Sequence, residues 1–298
     1  MRWLVVLDPL DGLKPRTDTS LAVINRARKE GIEVDTATIE QLYFEAQAKV
    51  LASSADGATQ SQLLGSYDLV FMRKEPPYDM RFHYATQLLS LGGTLVVNSP
   101  SSLRDFNEKL IVLPFVKYMP PTLVAADLSA IGDFISTHGK VVVKSLDSFQ
   151  GKSVLLLEEH DEETLREFTS GGSWPVMVQK FLDQVYDGDK RVITLGDRLM
   201  GAALRKPKQG YHANFANSEA LKSPLSEREQ AALAELCPWM VSLGIHFAGL
   251  DFIGGYLTEI NITCPTGIVQ ISELEGRDLA AEIVDYFSEL ADRRSEAR

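Results

Sequence analysis

Residues 250–261 read Leu-Asp-Phe-Ile-Gly-Gly-Tyr-Leu-Thr-Glu-Ile-Asn and place an apolar run on each side of a Gly-Gly pair. Paired glycines between two such runs are typical of a hairpin turn, so the stretch predicts two antiparallel strands. Side chains alternate between the faces of a strand, so Glu259 and Asn261 share one face. The register of the hairpin decides whether Asp251 joins them.

Asp251 joins that face if it pairs with a residue of the same parity, such as Leu257. That pairing sets Phe252 opposite Tyr256 and leaves the three-residue loop 253–255, with a glycine for its left-handed position. We therefore expect a loop of odd length, because an even one would turn Asp251 away. The shared face would carry only oxygen ligands, which is typical of a site for Mg²⁺ (or Mn²⁺) together with substrate phosphates.

A second interpretation of this stretch is an ordinary hairpin whose carboxylates face water, the commonest environment of an acidic side chain. The flanking residues favour the first interpretation. Leu250, Phe252, Leu257 and Ile260 make the opposite face strongly apolar, so the hairpin is expected to lie at the centre of the protein.

Composition limits the classes of protein that the chain can belong to. Its 298 residues predict two or three folding units, and its net charge of −11 argues against nonspecific binding to nucleic acid or to an anionic membrane. Two cysteines cannot form a disulfide framework, and no apolar run has the length of a signal peptide or a membrane span. We therefore expect a cytoplasmic protein.

The first hundred residues alternate predicted strands with predicted helices, which indicates a parallel α/β sheet. Asp8, Arg73 and Asn98 follow predicted strands, and ligands of parallel sheets bind at the carboxyl ends of strands. Residues 40–62 are mixed and polar, and we predict no regular element there.

The rest of the chain predicts shorter strands and two loops. Met119-Pro120-Pro121 is read as a boundary, and strands at 141–144 and 154–157 enclose a loop. A second hairpin, 191–195 with 199–205, is predicted to turn at Gly196-Asp197. Residues 206–224 have no periodicity, which is typical of a functional lid loop.

Basic residues fall at the predicted ends of strands and helices. Beside an oxygen-rich metal face they indicate a nucleoside triphosphate site, because phosphoryl transfer depends mainly on electrostatic positioning; the alternative is that each is an ordinary solvated side chain. They are Lys109, Lys144, Lys180, Arg191 and Arg205. The segment 151–153, Gly-Lys-Ser, is not a P-loop, because Leu146 stands where the motif needs glycine. The histidines lack zinc-ligand spacing.

Several motifs, in order along nearly the whole chain, resemble bacterial glutathione synthetase. They are Asp8-Pro9, residues 72–79 (Met-Arg-Lys-Glu-Pro-Pro-Tyr-Asp), residues 98–110 (Asn-x-Pro-x-Ser-Leu-Arg-Asp-x-Asn-Glu-Lys-Leu), residues 187–191 (Asp-Gly-Asp-Lys-Arg), and residues 249–261 with the Thr-x-Pro-Thr that follows. The resemblance implies an α/β (α+β) ATP-grasp fold with a parallel N-terminal domain at 1–106, a lid subdomain at 107–182 and a C-terminal domain at 183–298, whose mainly antiparallel sheet binds the metal. It also implies that ATP phosphorylates the C-terminal carboxylate of γ-glutamylcysteine and that glycine attacks the acyl phosphate.

The resemblance also assigns roles to particular residues. Asp251, Glu259 and Asn261 are implied as Mg²⁺ ligands, and Arg191 and Arg205 as the residues that hold the transferring phosphate and the acyl phosphate. The implied ATP-binding residues are Lys109, Lys144, Ser148, Gly151, Gln179, Lys180, Phe181, Leu182 and Asp189. The implied residues on the peptide-substrate side are Asp18, Ser20, Arg73 and Asn98. A homo-oligomer, a dimer or tetramer, is implied as well.

Two loops depart from the family pattern. Residues 145–152 and 206–220 each contain a single glycine, and Tyr211-His212 stands near the expected arginine of the second loop. Ordinary side chains limit how closely backbone amides approach a phosphate. Two alternatives therefore stay open: a ligase that joins a different amine to a peptide-like acid, and a non-catalytic nucleotide-binding relative.

Overall fold

The computed structural model describes residues 1–147, 154–208, 210, 215 and 218–296. The strands are β1 Arg2–Leu7, β2 Glu33–Ala37, β3 Leu42–Glu45, β4 Gln47–Ser53, β5 Thr59–Leu63, β6 Leu69–Arg73, β7 Leu95–Val97, β8 Thr122–Ala125, β9 Val141–Ser145, β10 Val154–Leu157, β11 Val176–Lys180, β12 Asp189–Leu195, β13 Arg198–Pro207, β14 Ser218–Lys222, β15 Phe247–Ile253 and β16 Tyr256–Asn261. The helices are α1 Thr19–Lys29, α2 Met80–Ser90, α3 Pro100–Asp105, α4 Leu128–His138, α5 Glu162–Phe168, α6 Glu227–Ser242, α7 Ile268–Glu275 and α8 Leu279–Glu296.

The N-terminal sheet has β1 at its centre, paired in parallel with β2 on one side and β6 on the other. β7 extends the sheet beyond β6, also in parallel. Asp18 caps α1 by accepting a hydrogen bond from the N–H of Leu21 at 2.8 Å. The predicted parallel α/β arrangement of this region is confirmed.

The prediction for residues 40–62 is wrong, because they form the antiparallel strands β3, β4 and β5 beyond β2. Ala48, Val50 and Ala52 alternate along β4 and are buried, while the side chains between them face solvent. Two of the three inward side chains are single methyl groups, so the alternation gave only a weak hydrophobic signal.

The second sheet, which we call the lid sheet, has the order β10-β9-β11-β8 and is antiparallel. α4 and α5 cover one face and bury Ile131 and Leu165 against Val143 and Val178. The opposite face is open toward the third sheet and carries the side chain of Lys144.

The third sheet has the order β14-β13-β12-β15-β16 and is antiparallel throughout. The predicted hairpin with its turn at Gly196-Asp197 is confirmed as β12 and β13. Phe247 of this sheet packs edge-on against Phe71 of the N-terminal sheet, with 6.0 Å between ring centroids, and Phe287 of α8 contacts the same ring at 5.0 Å. These contacts join the N-terminal and third sheets in one core.

The hairpin of β15 and β16 has the predicted face but not the predicted loop. Gly254 and Gly255 form a two-residue turn with φ of 56° and 79°, as a type I′ turn requires. Ile253 pairs with Tyr256 and Phe252 with Leu257, and a β-bulge then makes Asp251 pair with Glu259. The expectations of an odd-length loop and of a Leu257 partner for Asp251 are therefore wrong. Thr258 is the extra residue, and it restores the parity that the even turn would have lost.

Candidate active site

A cavity of about 940 Å³ lies between the three sheets. Its lining includes Asp8, Asp18 and Glu75 from the N-terminal sheet, Lys144, Gln179, Lys180, Phe181 and Leu182 from the lid sheet and its exit, and Asp189, Arg191, Arg205, Asp251, Glu259 and Asn261 from the third sheet. Residues more than 200 positions apart in sequence thus meet in one space. Its volume is at the upper end of the range for small-molecule sites.

One face of the third sheet, which we call the charged face, carries six polar side chains in neighbouring register. Arg205 pairs with Asp189, Arg191 with Asp251, and Asp251 with Glu259, while Asn261 stands opposite Gly249. Asn261 Nδ2 donates to Asp251 Oδ2 at 3.2 Å. The predicted grouping of Asp251, Glu259 and Asn261 on one face is therefore confirmed, whatever they bind.

Two arginines hold Asp251 from the neighbouring strands. Arg191 Nε and Nη2 donate to Asp251 Oδ1 and Oδ2 at 2.5 and 2.8 Å, and Arg205 Nη2 lies 3.0 Å from Oδ1. Burial alone would raise the pKa of Asp251, but the two guanidinium groups outweigh it and lower the pKa below its usual value. The carboxylate is thus ionised and fixed in place.

The pair of Asp189 and Arg205 is less well compensated. Arg205 Nη2 lies 2.6 Å from Asp189 Oδ2, yet Asp189 Oδ1 and Arg205 Nε are buried without a hydrogen-bond partner among the described residues. Burial raises the pKa of Asp189 to about 6, with Arg205 opposing it and Asp251 reinforcing it. Unpartnered buried polar atoms that line a cavity are typical of groups that contact a ligand.

The lid sheet contributes Lys144 and the strand exit of β11. Burial lowers the pKa of Lys144, whose ammonium faces Glu259, Lys109, Asp189 and Asp251 at longer range. Phe181 N donates to the carbonyl of Lys140 at 2.9 Å, so the exit from β11 is fixed to the start of β9. Ser148 and Gly151, predicted to contact ATP, lie outside the described residues.

Lys109 lies beside the charged face. It is 6% exposed, and its Nζ is 3.7 Å from Glu259 Oε1. The neighbouring residue, Glu108, also lines the cavity but was not singled out by the sequence reasoning. Burial raises the pKa of Glu108, and the nearby charge of Glu259 adds to the effect. Its only sequence signal was its place between Asn107 and Lys109 in a recognised motif.

Arg73 and Ser20 lie behind the N-terminal end of the cavity. Arg73 is 2% exposed, its Nε donates to Ser20 Oγ at 3.0 Å, and its Nη1 is buried without a partner in the described part of the chain. The Cys264 thiol, which lines the cavity, donates to the carbonyl of Arg73 at 3.2 Å. Burial raises the pKa of that thiol to about 12, so it is protonated at neutral pH.

The structure places Asn98 away from the cavity. Its Nδ2 donates to the carbonyls of Phe247 and Ile262, and its Oδ1 accepts from the N–H groups of His246 and Phe247, at 2.7 to 2.9 Å. These four bonds tie the end of β7 to the third sheet. Asn98 therefore has a structural arrangement, and the substrate contact predicted for it is not what the geometry favours.

The donor chemistry of the charged face fits a hard cation. Asp251 and Glu259 are direct cross-strand partners, and like charges in that position repel each other unless a cation lies between them. Carboxylate and amide oxygens are the ligands that Mg²⁺ takes when phosphates supply the rest. In the described ranges, no cluster of three or more His, Cys, Asp or Glu residues could bind a metal, so a metal here would need Asn261 and a substrate as well.

The lid sheet, the cavity and the charged face define the class of this protein, which is an ATP-grasp ligase. A family model of the prokaryotic glutathione synthetase N-terminal domain matches residues 1–104, and a model of its ATP-grasp domain matches residues 108–276. The chain therefore belongs to the prokaryotic glutathione synthetase family, as its motifs predicted.

Curated relatives agree over almost their whole length. The chain is 36% identical to glutathione synthetase of Parasynechococcus marenigrum (strain WH8102), with 97% of this chain and 100% of that protein covered. It is 37% identical to glutathione synthetase of Gloeobacter violaceus, with 97% of each covered. With 97% of this chain covered, both matches include the two regions that the family models match.

Solved structures support the fold. The D-cycloserine synthetase DcsG superposes with a TM-score of 0.72 at 18% identity and covers 98% of this chain and 99% of that one. The macrocyclase MdnC from Microcystis aeruginosa, bound to its precursor peptide, gives a TM-score of 0.67 at 16% identity and covers 97% and 100%. At such identities the likeness concerns the ATP-grasp architecture alone.

Proposed function

We propose that this protein synthesises glutathione from γ-glutamylcysteine, glycine and ATP. A C-terminal carboxylate oxygen of γ-glutamylcysteine attacks the γ-phosphorus and releases ADP. The glycine amine then attacks the carbonyl carbon of the acyl phosphate, loses a proton, and expels inorganic phosphate. The observation that carries the proposal is the charged face, on which two guanidinium groups and four oxygen-bearing side chains meet inside one cavity.

The buried Lys109 and the partly buried Lys144 bind the nucleotide phosphates in this proposal. Lys109 lies at the charged face and Lys144 on the opposite wall, so a triphosphate between them contacts both. Burial lowers the pKa of Lys144, and an arriving phosphate opposes that shift because it stabilises the ammonium by an ion pair in a site of low dielectric. Electrostatic positioning of this kind is most of what phosphoryl transfer requires.

The exit from β11 binds the adenine ring. Residues 179–182 line the cavity next to β8 and β9, and the side chain of Phe181 is 6% exposed. In the described ranges the N–H of Leu182 has no hydrogen-bond partner, so it is available to a ring nitrogen. Asp189 lies on the charged face at the start of β12, its Oδ1 has no partner among the described residues, and it accepts from a hydroxyl of the nucleotide.

Asp251, Glu259 and Asn261 hold Mg²⁺ together with phosphate oxygens in this proposal. When bound, the ion withdraws electron density from the phosphate and neutralises its charge. Asp251 now shares its oxygens with Arg191 and Arg205, so both arginines are already directed at the place where phosphate charge develops. Their role is to hold the transferring phosphate and then the acyl phosphate.

The peptide substrate binds at the N-terminal end of the cavity. Asp18 and Cys264 line this end. Arg73 lies behind them, hydrogen-bonded to Ser20 through its side chain and to Cys264 through its carbonyl. The Nη1 group of Arg73 is buried and has no partner among the described residues, so a small movement of the cavity wall would let it bind a substrate carboxylate. Asn98 does not contact the substrate in this proposal; it holds the end of β7 against the third sheet.

Three further features stay predictions. The first is the division into units 1–106, 107–182 and 183–298. The second is assembly into a dimer or tetramer without nucleic acid or membrane partners. The third is location in the cytoplasm, which the two unpaired cysteines favour because free thiols are typical of a reducing compartment. None of the described helices is long and apolar enough to cross a membrane.

The test is release of ADP from ATP and Mg²⁺ with panels of acids and amines. Release that depends on both γ-glutamylcysteine and glycine supports the proposal. Release with other pairs only supports a ligase for a different amine, and no release with any pair supports a non-catalytic relative. Glu259→Gln keeps the shape of the side chain and removes its charge, so it should strongly lower ADP release if Glu259 binds the metal. Near-normal activity of this variant would contradict the metal assignment.

A further inference from the structure

The tripeptide Asn107-Glu108-Lys109 contacts two sheets of the active site at once. It follows α3 and lies between the lid sheet and the edge of β16. Asn107 bonds to the lid sheet, Glu108 bonds to β16, and Lys109 faces Glu259. The proposed function uses only Lys109, so the other two side chains call for a separate explanation.

Glu108 holds the free edge of β16 on both sides of Asn261. β16 is the last strand of its sheet, so its outer N–H groups have no strand partner. The carbonyl of Glu108 accepts from Ile260 N at 3.1 Å. Its Oε1 accepts from Ile262 N at 2.7 Å, and from Thr263 N and Thr263 Oγ1 at 2.8 Å. Hydrogen bonds to a carboxylate are stronger than those between neutral groups.

Asn107 makes the corresponding link to the lid sheet. Its Nδ2 donates to the carbonyl of Leu146 at 2.8 Å, one residue beyond the end of the strand that carries Lys144. Its Oδ1 accepts from the N–H groups of Lys109 and Leu110 at 2.9 and 3.3 Å. The same side chain therefore fixes the backbone of Lys109 and the end of β9.

We infer that Asn107 and Glu108 are positioning residues that hold both phosphate lysines and the metal-binding strand in one fixed arrangement. This inference rests on the proposed function, because it presumes that metal and nucleotide bind between these groups. A triphosphate that contacts Lys109, Lys144 and a cation on β16 needs all three at set distances. The tripeptide connects all three through its own hydrogen bonds and the side chain of Lys109.

The inference is tested by the affinity for metal and nucleotide, measured under conditions in which no turnover occurs. We would measure binding of Mn²⁺ with a non-hydrolysable ATP analogue by calorimetry. Glu108→Ala removes the acceptor of three bonds and is expected to weaken binding about 10- to 100-fold, as loss of outer-shell partners does in metal sites. Glu108→Gln keeps an acceptor oxygen at the same place and should restore most of the affinity.

Glu229→Gln is the matched control. Glu229 is 3% exposed and bonded to Lys190, away from the cavity, so its replacement lowers the melting temperature but should leave affinity unchanged. Wild-type affinity in Glu108→Ala, or equal loss in Glu108→Gln and Glu108→Ala, overturns the inference. Failure of the wild-type chain to bind the metal and analogue instead counts against the proposed function.

Two milder variants keep the inference testable if Glu108→Ala does not fold. Thr263→Val removes one of the three donors to Glu108 at nearly constant volume. Asn107→Asp keeps the Oδ1 acceptor and removes the Nδ2 donor to Leu146. Both are expected to weaken analogue binding by less than Glu108→Ala while melting near the wild-type temperature. Unchanged affinity in both folded variants overturns the inference.

Discussion

The charged face and the opposing wall of the lid sheet balance their charges in different ways. On the charged face, Arg191 and Arg205 lie 2.5 and 2.6 Å from carboxylates. On the lid sheet, Lys144 forms no ion pair within the described part of the chain, and burial lowers its pKa. The arginines of the charged face are paired with carboxylates before a substrate arrives, whereas under the proposed function Lys144 gains its counter-charge from the nucleotide.

This difference separates stability from binding. Removal of one member of a buried ion pair leaves an uncompensated charge, which costs about 3–5 kcal/mol of stability. Removal of a partly buried lysine that has no ion pair in the described ranges, such as Lys144, relieves a desolvation penalty instead. Substitutions of Asp251, Arg191 or Arg205, which are ion-paired, should therefore affect folding and catalysis together, whereas substitutions at Lys144 should weaken ligand binding without a loss of stability.

The largest expected effect is that of Asp251→Asn. It leaves Arg191 and Arg205 without their shared anion, so we expect turnover to fall by about 10³-fold and the free energy of unfolding to fall by about 3–5 kcal/mol. Glu259→Gln should lower turnover as much with little change in stability, because Glu259 is partly exposed and its nearest cation is 3.7 Å away. Urea unfolding and ADP release measure the two quantities. Equal stabilities of Asp251→Asn and Glu259→Gln would contradict the distinction.

The next effect compares Lys144→Met with Arg205→Met. We expect Lys144→Met to weaken binding of an ATP analogue roughly 10- to 100-fold, or about 1.4–2.8 kcal/mol, with unchanged or higher stability. Arg205→Met exposes Asp189 and Asp251 to each other without their shared cation and should destabilise the chain. Calorimetric titration and thermal unfolding of both variants test this. A lower stability of Lys144→Met than of the wild type would contradict the view that Lys144 makes no stabilising ion pair before a ligand binds.

A smaller effect is the pH dependence that Asp189 gives to stability. Its pKa in the folded chain is raised to about 6, above the usual 3.8, so the folded chain holds this proton more tightly than the unfolded one. Its contribution to the unfolding free energy is therefore complete below about pH 4 and is lost as the pH rises through about 6.

Asp189→Asn removes this contribution. The difference in unfolding free energy between wild type and variant should grow by about 1 kcal/mol in favour of wild type as the pH falls from about 7.5 to about 5. The measurement uses urea unfolding with EDTA and without nucleotide, because a bound cation would change the charge balance. A difference that stays constant over this range would show that Asp189 titrates elsewhere.

The smallest effect concerns the turn that supports the charged face. Gly254→Ala places a Cβ about 3.0 Å from Gln184 Cγ at a φ of +56°, and we expect a loss of about 1 kcal/mol in stability. Gly57→Ala, at a φ of +84° with no atom within 4 Å, isolates the backbone part of that cost. Activity should be retained in both. Loss of turnover in Gly254→Ala alone would show that the turn also sets the register of Asp251 and Glu259.

The sequence predicted the parts of the site that local patterns encode. Alternation put Glu259 and Asn261 on one face, and paired glycines marked the turn between β15 and β16. The bulge at Thr258 could not be foreseen, because an extra residue in one strand leaves the apolar pattern readable in two registers. The prediction was therefore right about the face that Asp251 shares with Glu259 and wrong about the length of the loop.

Long-range partners were beyond local patterns. The bonds from Glu108 to Ile262 and Thr263 span more than 150 residues, and those of Asn98 to β15 span nearly as many. A polar residue that follows a strand gives the same local sequence pattern whether its side chain contacts a ligand or hydrogen-bonds two sheets to each other. This is why Asn98 was predicted as a substrate residue and Glu108 was passed over.

The transfer of a labelled oxygen tests the central claim most directly. γ-Glutamylcysteine labelled with ¹⁸O in its C-terminal carboxylate is incubated with ATP, Mg²⁺, glycine and the protein, and inorganic phosphate is analysed by mass spectrometry. An acyl phosphate formed on the charged face places one carboxylate oxygen in each phosphate released, so we predict one ¹⁸O per phosphate alongside glutathione. Phosphate without the label, or no glutathione, would contradict the account.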